Sequence, residues 1–225
     1  MAGQVRFIED QGRAHMLSSE FMEKLHEGAD VLGVELSSSQ LESFDLYRQE
    51  LKKWGRVYNI TSRLGDRDIL VRHFLDSLFY LQGVPEGTGL SLADAGSGAG
   101  FPGIPIAIAR PDLRVSLIEP TRKKALFLQN IKRKLNLSLV AVINERVENV
   151  EPAAGPFDIL VTRALWDAES FMARTRHLTE SGTRWILSKG RNYEDELKGL
   201  EGSLEIKRTT LPFENLNRWL IILIT

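Results

Sequence analysis

The sequence predicts an α/β protein: a doubly wound, mostly parallel sheet with an antiparallel C-terminal strand, preceded by a helical extension. Three observations carry this expectation. Helical spacing runs from Met16 to about Leu81; short apolar runs then alternate with helical segments after Gly83; and the last two apolar runs, LEIKRTTL and NRWLIILIT, are too close for a crossover helix between them. The expected division is residues 16–85 for the helical extension and 86–225 for the sheet domain. A chain of 225 residues with 43% hydrophobic content can fill such a core.

The elements follow in order. Residues 1–15 show no clear periodicity and stay outside the fold reading. Ser39 followed by Glu42 reads as a capping box, with Leu41, Phe44, Tyr47, Leu51 and Trp54 at helical spacing behind it. A second helix is expected from Asp68 to Leu81, with Leu70, Phe74, Leu78 and Leu81 on its apolar face and Arg72, His73, Asp76 and Ser77 opposite. The alternating region then gives strands at LSLADA, LRVSLIE, SLVAVI, FDILVTRA and TRWILSK. Helices intervene near Pro102–Ala109, Thr121–Leu135 and Ala168–Leu178.

Composition narrows the chemistry. There are no cysteines, which excludes disulfides, thiolate metal sites and a cysteine nucleophile. No apolar run approaches the roughly 20 residues of a membrane span, and no signal-peptide stretch opens the chain. A soluble, cytoplasmic protein is expected. The net charge of -1 means that nucleic-acid binding would need a local basic patch.

The stretch LADAGSGAGFPGIP fits two glycine fingerprints. Gly98, Gly100 and Gly103 match the dinucleotide form G-x-G-x-x-G, whereas Gly96, Gly98 and Gly100 give G-x-G-x-G. The first strand ends near Ala95, so the second register fits better. Asp94 then lies two residues before the first glycine, where it would repel a pyrophosphate at the helix N-terminus but suit a cofactor with a cationic end. S-adenosylmethionine, with a sulfonium and an ammonium, meets that description. Glu119 closes the second strand where ribose hydroxyls would lie; this supports an adenosine-containing ligand without separating it from NAD. The C-terminal hairpin favours the methyltransferase variant of the Rossmann-like sheet.

The run DAGSGAGFPGIPIAIARPDL closely resembles the bacterial ribosomal RNA small subunit methyltransferase G family, also called glucose-inhibited division protein B. Phe101, Pro102 and Gly103 make the match more specific than a general methyltransferase loop. Further blocks agree in order: W-x-x-x-Y-N-I-T from Trp54, V-R-H-F-L-D-S-L from Val71, R-V-E at Arg146, T-R-A at Thr162 and S-K-G at Ser188. The resemblance implies a class I S-adenosylmethionine-dependent fold and methyl transfer to N7 of a guanine in the decoding-region loop of 16S rRNA. The partner it implies is that rRNA in the small ribosomal subunit or an assembly intermediate, and the protein is expected to be a monomer. Guanine N7 has a lone pair and no proton, so alignment and desolvation suffice and no general base is required. A small-molecule methyltransferase, an NAD-dependent oxidoreductase and a non-catalytic RNA-binding module are the alternatives.

Candidate residues follow. Asp94, Gly96, Ser97, Gly98, Gly100, Phe101, Glu119 and Arg163 are expected at the cofactor, and the resemblance adds Val147 and Glu148 beside the adenine. Arg163 and Lys189 sit at the ends of the fourth and fifth strands, the edge at which open parallel sheets place ligands. They join His73 and Asn59 as candidates for the reacting base. Asn59 and Thr61 also suit plain capping. Arg72 with Asp76 reads as a helix ion pair, and His73 as a group turned toward the pocket or satisfied by Asp76; no metal is expected. The cations Arg122, Lys123, Lys124, Lys132, Arg133 and Lys134 read chiefly as a solvated helix face. Together with Lys52, Lys53, Arg56, Arg63 and Arg67, they are also candidates for phosphate contacts.

Overall fold

The computed structural model describes residues 18–58, 60–62, 64–190, 193–197, 200 and 202–224. Its five parallel strands are β1 (Ser91–Ala95), β2 (Arg114–Ile118), β3 (Val140–Ile143), β4 (Ile159–Arg163) and β5 (Arg184–Lys189); β6 (Ser203–Leu211) and β7 (Leu216–Ile224) form the terminal hairpin. The sheet order is β3-β2-β1-β4-β5-β7-β6, so the later hairpin strand enters the sheet between β5 and its own partner. It runs antiparallel to both, pairing Lys189 with Trp219 and Leu211 with Leu216.

Alternation along the strands divides the core into two layers. Leu92, Leu117, Ile159, Val161, Ile186 and Ile222 face one side, while Ala93, Ile118, Leu160, Trp185, Leu187 and Ile221 face the other. Helix α1 (residues 18–31) and helices α2 (Ser38–Tyr58), α4 (Gly103–Ala109) and α5 (Arg122–Lys134) contribute to the first layer; α6 (Ala168–Thr175) covers the second. The central strands are apolar on both faces because helices cover both. Phe21, Phe44 and Phe74 of the helical extension belong to the same buried cluster as Leu117 and Ile186 of the sheet.

Two local expectations are corrected. The capping box lies at Ser37 and Gln40: the Ser37 amide donates to Gln40 Oε1 (2.8 Å), and the Gln40 amide donates to Ser37 Oγ (3.3 Å). Three consecutive serines could each cap this helix, and Gln40 decides between them. Its amide nitrogen also donates to the Ile108 and Ala109 carbonyls at the end of α4, which a glutamate could not do.

The segment after Asp68 is not one α-helix. It is a π-helix over Asp68–Leu75, a single α turn α3 (Asp76–Leu78), and a 3-10 turn over Phe79–Gly83. Its polar residues His73, Asp76 and Ser77 are buried along with Leu70, Phe74 and Leu78. The segment is therefore covered on both sides, and its polar side meets charged partners from β4 and β7 that are remote in sequence.

Candidate active site

β1 ends at Ala95, as the G-x-G-x-G register requires, and the chain turns through Gly96 at φ +75°. That left-handed conformation favours glycine, and a Cβ there would also run into the Leu165 side chain. Tyr47 on α2 donates its buried hydroxyl to the Ala99 carbonyl at 2.5 Å, so the helical extension holds the loop directly.

The two carboxylates beneath the loop have clear structural partners. Glu119 Oε2 accepts from the Gly98 amide (2.8 Å) and Oε1 from the Thr121 amide (2.8 Å), which fixes the loop to the start of α5. Asp94 is fully enclosed rather than open to the cavity: Oδ2 accepts from the Gly103 amide at 2.9 Å at the head of α4, while Oδ1 has no hydrogen-bond partner among the described residues. Burial pushes the Asp94 carboxyl up to about 7, against the opposing pull of the Gly103 amide and the Arg163 guanidinium. Gly103 allows this close approach; a Cβ on it would lie 2.7 Å from Asp94 Oδ2. Ser97 is also inward, donating its hydroxyl to the Asp94 carbonyl at 2.9 Å.

A cavity of about 310 Å³ opens beside the loop, lined by Gly96, Ile118, Pro120, Val147, Glu148 and Trp166 among others. Trp166 stacks on Phe171 with rings 9° from parallel, and Arg174 lies over Trp166 and pairs with Glu148. The Glu148 carboxyl is held below its usual range by its own backbone amide and by Arg174, which outweigh its small loss of solvation. Apolar walls, a carboxylate rim and a glycine edge that any side chain would fill suit the adenosine portion of S-adenosylmethionine. The unpaired Asp94 oxygen behind the loop is complementary to its positive charge. The residues present therefore fit this cofactor.

A second cavity, of about 390 Å³, is lined by Arg72, His73, Asp76, Arg163, Lys189 and Arg218 among others. Arg163 Nη1 donates to the Arg72 carbonyl (2.9 Å) and lies 3.6 Å from Asp76 Oδ2; Arg218 Nε donates to Asp76 Oδ1 at 2.7 Å. Arg163 Nη2 is 3.3 Å from His73 Nδ1, and because a guanidinium only donates, that nitrogen accepts and Nε2 carries the proton. His73 and Arg163 both pack on Phe101, at 4.5 and 4.8 Å from its centroid. Phe101, expected at the cofactor, is buried beneath these two groups, against Tyr47 and Phe74. Lys189 donates to the Trp166 carbonyl at 3.0 Å, tying the second cavity to the loop that borders the first.

His73, Arg163 and Lys189 thus meet in one chamber, while Gly96, Val147 and Glu148 meet in the other; Asn59 lies outside the described residues. The expected Arg72–Asp76 pair is replaced: Arg72 bridges Asp68 (3.3 Å) and Glu214 (3.0 Å), because Asp76 turns inward to two other arginines. Sequence reading missed Arg218 and Tyr80. The buried Tyr80 hydroxyl donates to the Thr162 carbonyl (2.7 Å) and accepts the Ser188 amide (3.0 Å), clamping the ends of β4 and β5 where Arg163 and Lys189 emerge. The visible signal for Arg218 is a lone charge opening the apolar run of β7; Tyr80 gives none.

Sheet order, antiparallel β7 and the glycine loop together define a class I S-adenosylmethionine-dependent methyltransferase. Solved structures agree at the level of fold. A precorrin-6y C5,15-methyltransferase from Geobacter metallireducens matches with TM-score 0.51 at 14% identity, covering 65% of this chain and 86% of the other. A ribosomal protein L11 methylase from Lactobacillus delbrueckii subsp. bulgaricus matches with TM-score 0.52 at 15% identity, covering 68% and 79%.

Sequence comparison is more specific. The family model for rRNA small subunit methyltransferase G matches residues 40–216. A ribosomal RNA small subunit methyltransferase G from Pseudomonas putida is 37% identical over 211 residues, 92% of this chain and 97% of the relative. One from Methylobacillus flagellatus is 41% identical over 175 residues, 78% and 83% of the two chains. The chain belongs to the rRNA small subunit methyltransferase G family.

Proposed function

We propose that the protein methylates N7 of one guanine in the decoding-region loop of 16S rRNA, acting as a monomer in the cytoplasm on the small ribosomal subunit or an assembly intermediate. The observation that carries this reading is the second chamber. Arg72, Arg163, Lys189 and Arg218 line it together with the Asp76 carboxylate, which is paired with Arg163 and Arg218. Such a lining suits the phosphates of a nucleotide and the O6/N7 edge of a guanine.

Bound S-adenosylmethionine supplies an electrophilic methyl group on its sulfonium. Gly96, Gly98 and Gly100 shape its cradle, Val147 and Glu148 border the adenine, Glu119 supports the ribose side through the loop it fixes, and Asp94 opposes the positive charge. Phe101 acts one layer further back, as the floor on which His73 and Arg163 rest. In the adjacent chamber Arg163, His73 and Lys189 align and desolvate the base. The N7 lone pair forms the new N–C bond as the S–C bond breaks, leaving a cationic base and S-adenosylhomocysteine. No proton moves, so the chamber has no need of a general base.

The experiment is reaction of the purified protein with labelled S-adenosylmethionine and 30S subunits from a strain lacking this activity, followed by mapping of the modified nucleotide. One labelled N7-methylguanine in the decoding-region loop is expected. Label at another base or another atom, or none in RNA, would overturn the proposal.

A further inference from the structure

A groove of about 360 Å³ lies between α2 and α5, lined by Glu50, Lys53, Trp54, Tyr58, Asn130 and Arg133 among others. It brings together two basic segments that are far apart in sequence. Helix α5 has no carboxylate in its thirteen residues and places Arg122, Lys123 and Lys124 in its first turn. Cations there oppose the helix dipole and work against the helix's own stability.

Aromatic surface is interleaved with this charge. Tyr58 is 47% exposed, its ring 5.3 Å from Trp54, and Lys123 Nζ lies 6.0 Å from its centroid. Trp54 is braced edge-on by buried Phe127 at 5.4 Å. At the far end Glu50 accepts from Asn130 Nδ2 (2.9 Å) and Lys134 Nζ (2.6 Å). Burial raises the Glu50 carboxyl, but these two bonds outweigh it and hold it below its usual range, so the carboxylate lining the groove is neutralised by its neighbours.

The groove also has a direction. Lys123, at the Tyr58 end, stands at the head of α5, just past the turn that Glu119 fixes, on the edge where the parallel strands deliver their ligand-facing residues. The Glu50 end meets the last turn of α5, away from that edge.

The geometry points to a second RNA contact: a single-stranded segment flanking the target guanine leaves the reaction chamber along α2 and α5, stacks a base on Tyr58 and Trp54, and places its phosphates on Lys53, Lys123 and Arg133. This inference rests on the rRNA reading above. Aromatic platforms bordered by cations bind single strands with little sequence preference, each stacked base contributing about 1–3 kcal/mol. The groove therefore supplies affinity and leaves the choice of base to the chamber.

The test uses Tyr58→Ala and the double variant Lys123→Glu/Arg133→Glu. Binding of a fluorescein-labelled single-stranded oligoribonucleotide should weaken about tenfold for Tyr58→Ala, and the double variant should flatten the salt dependence of binding. KM for 30S subunits should rise with kcat, melting temperature and S-adenosylhomocysteine affinity retained. Oligonucleotide affinity and KM unchanged in both variants would overturn the groove.

Photo-crosslinking from 4-thiouridine-substituted rRNA should label the peptide containing Trp54 and Tyr58; a crosslink from that peptide to a ribosomal protein in place of RNA would also overturn it. The two proposals separate cleanly. Correct methylation with unaffected groove variants fails the groove alone, whereas groove-dependent RNA binding without methylation by the wild-type protein supports the groove and fails the N7 reading.

Discussion

Replacing Asp94 with asparagine tests the site and the fold at once. The carboxyl is enclosed and its pKa stands at about 7, against an ordinary 3.8. Between these values the folded state holds a proton that the unfolded chain has released, so folding stability falls as pH rises through this window. Integrated for one group, the penalty grows by about 2–3 kcal/mol between pH 5 and 8, and little more accrues above the folded pKa. The asparagine would keep a carbonyl oxygen for the Gly103 amide but carry no charge, and this dependence disappears.

For a chain of this size the wild-type melting temperature should decline by about 5–10 °C across that range relative to the variant. The comparison of slopes cancels the fixed cost of burying an amide nitrogen where Oδ1 has no partner. Thermal unfolding of both proteins from pH 5 to 8 measures it. Parallel pH profiles would refute the argument that Asp94 is a strained, partly protonated carboxyl. The same variant should bind S-adenosylhomocysteine a few-fold more weakly at pH 8, because the enclosed carboxylate acts on the ligand's ammonium through the loop and not by direct contact; calorimetry at that pH checks it.

Arg163→Ala should lower kcat by roughly tenfold or more while S-adenosylhomocysteine affinity changes much less; a lower melting temperature with full activity per folded molecule would instead make Arg163 structural. Tyr80→Phe deprives the Thr162 carbonyl and Ser188 amide of a shared partner, at a cost of about 2–4 kcal/mol. A melting temperature within a degree of wild type would contradict that role. Gly96→Ala must place a side chain at φ +75° against Leu165, so cofactor binding should be lost with the circular dichroism spectrum retained. Unchanged S-adenosylhomocysteine binding would remove Gly96 from the cradle.

The legible parts of this molecule are those specified locally. Short apolar runs, glycines needing positive φ and a hairpin turn too short for a crossover are each local features, and β1 to β7 fall where those patterns place them. The capping box is displaced by two residues because Ser37, Ser38 and Ser39 look alike until Gln40 finds the end of α4. The π-helix is invisible in sequence because the winding of Asp68–Leu75 follows from its packing. The roles of Asp76, Arg218 and Tyr80 depend on neighbours about 80 to 140 positions away. Glycine spacing marks the loop after β1, but only folding shows that His73 and Arg163 share one floor.

The insertion of β7 between β5 and β6 has a consequence for synthesis. A nascent chain that has produced β1 to β6 holds the glycine loop, Glu119, Arg163 and Lys189, yet β5 still has an open edge and Asp76 still lacks Arg218. The sheet closes only when residues 216–224 thread back inside the strand made just before them. Pairing of this short segment is therefore the step that covers the open edge of β5 and brings Arg218 to Asp76. Until then the chain presents an unpaired strand edge, an aggregation hazard, and its arginine cluster lacks Arg218.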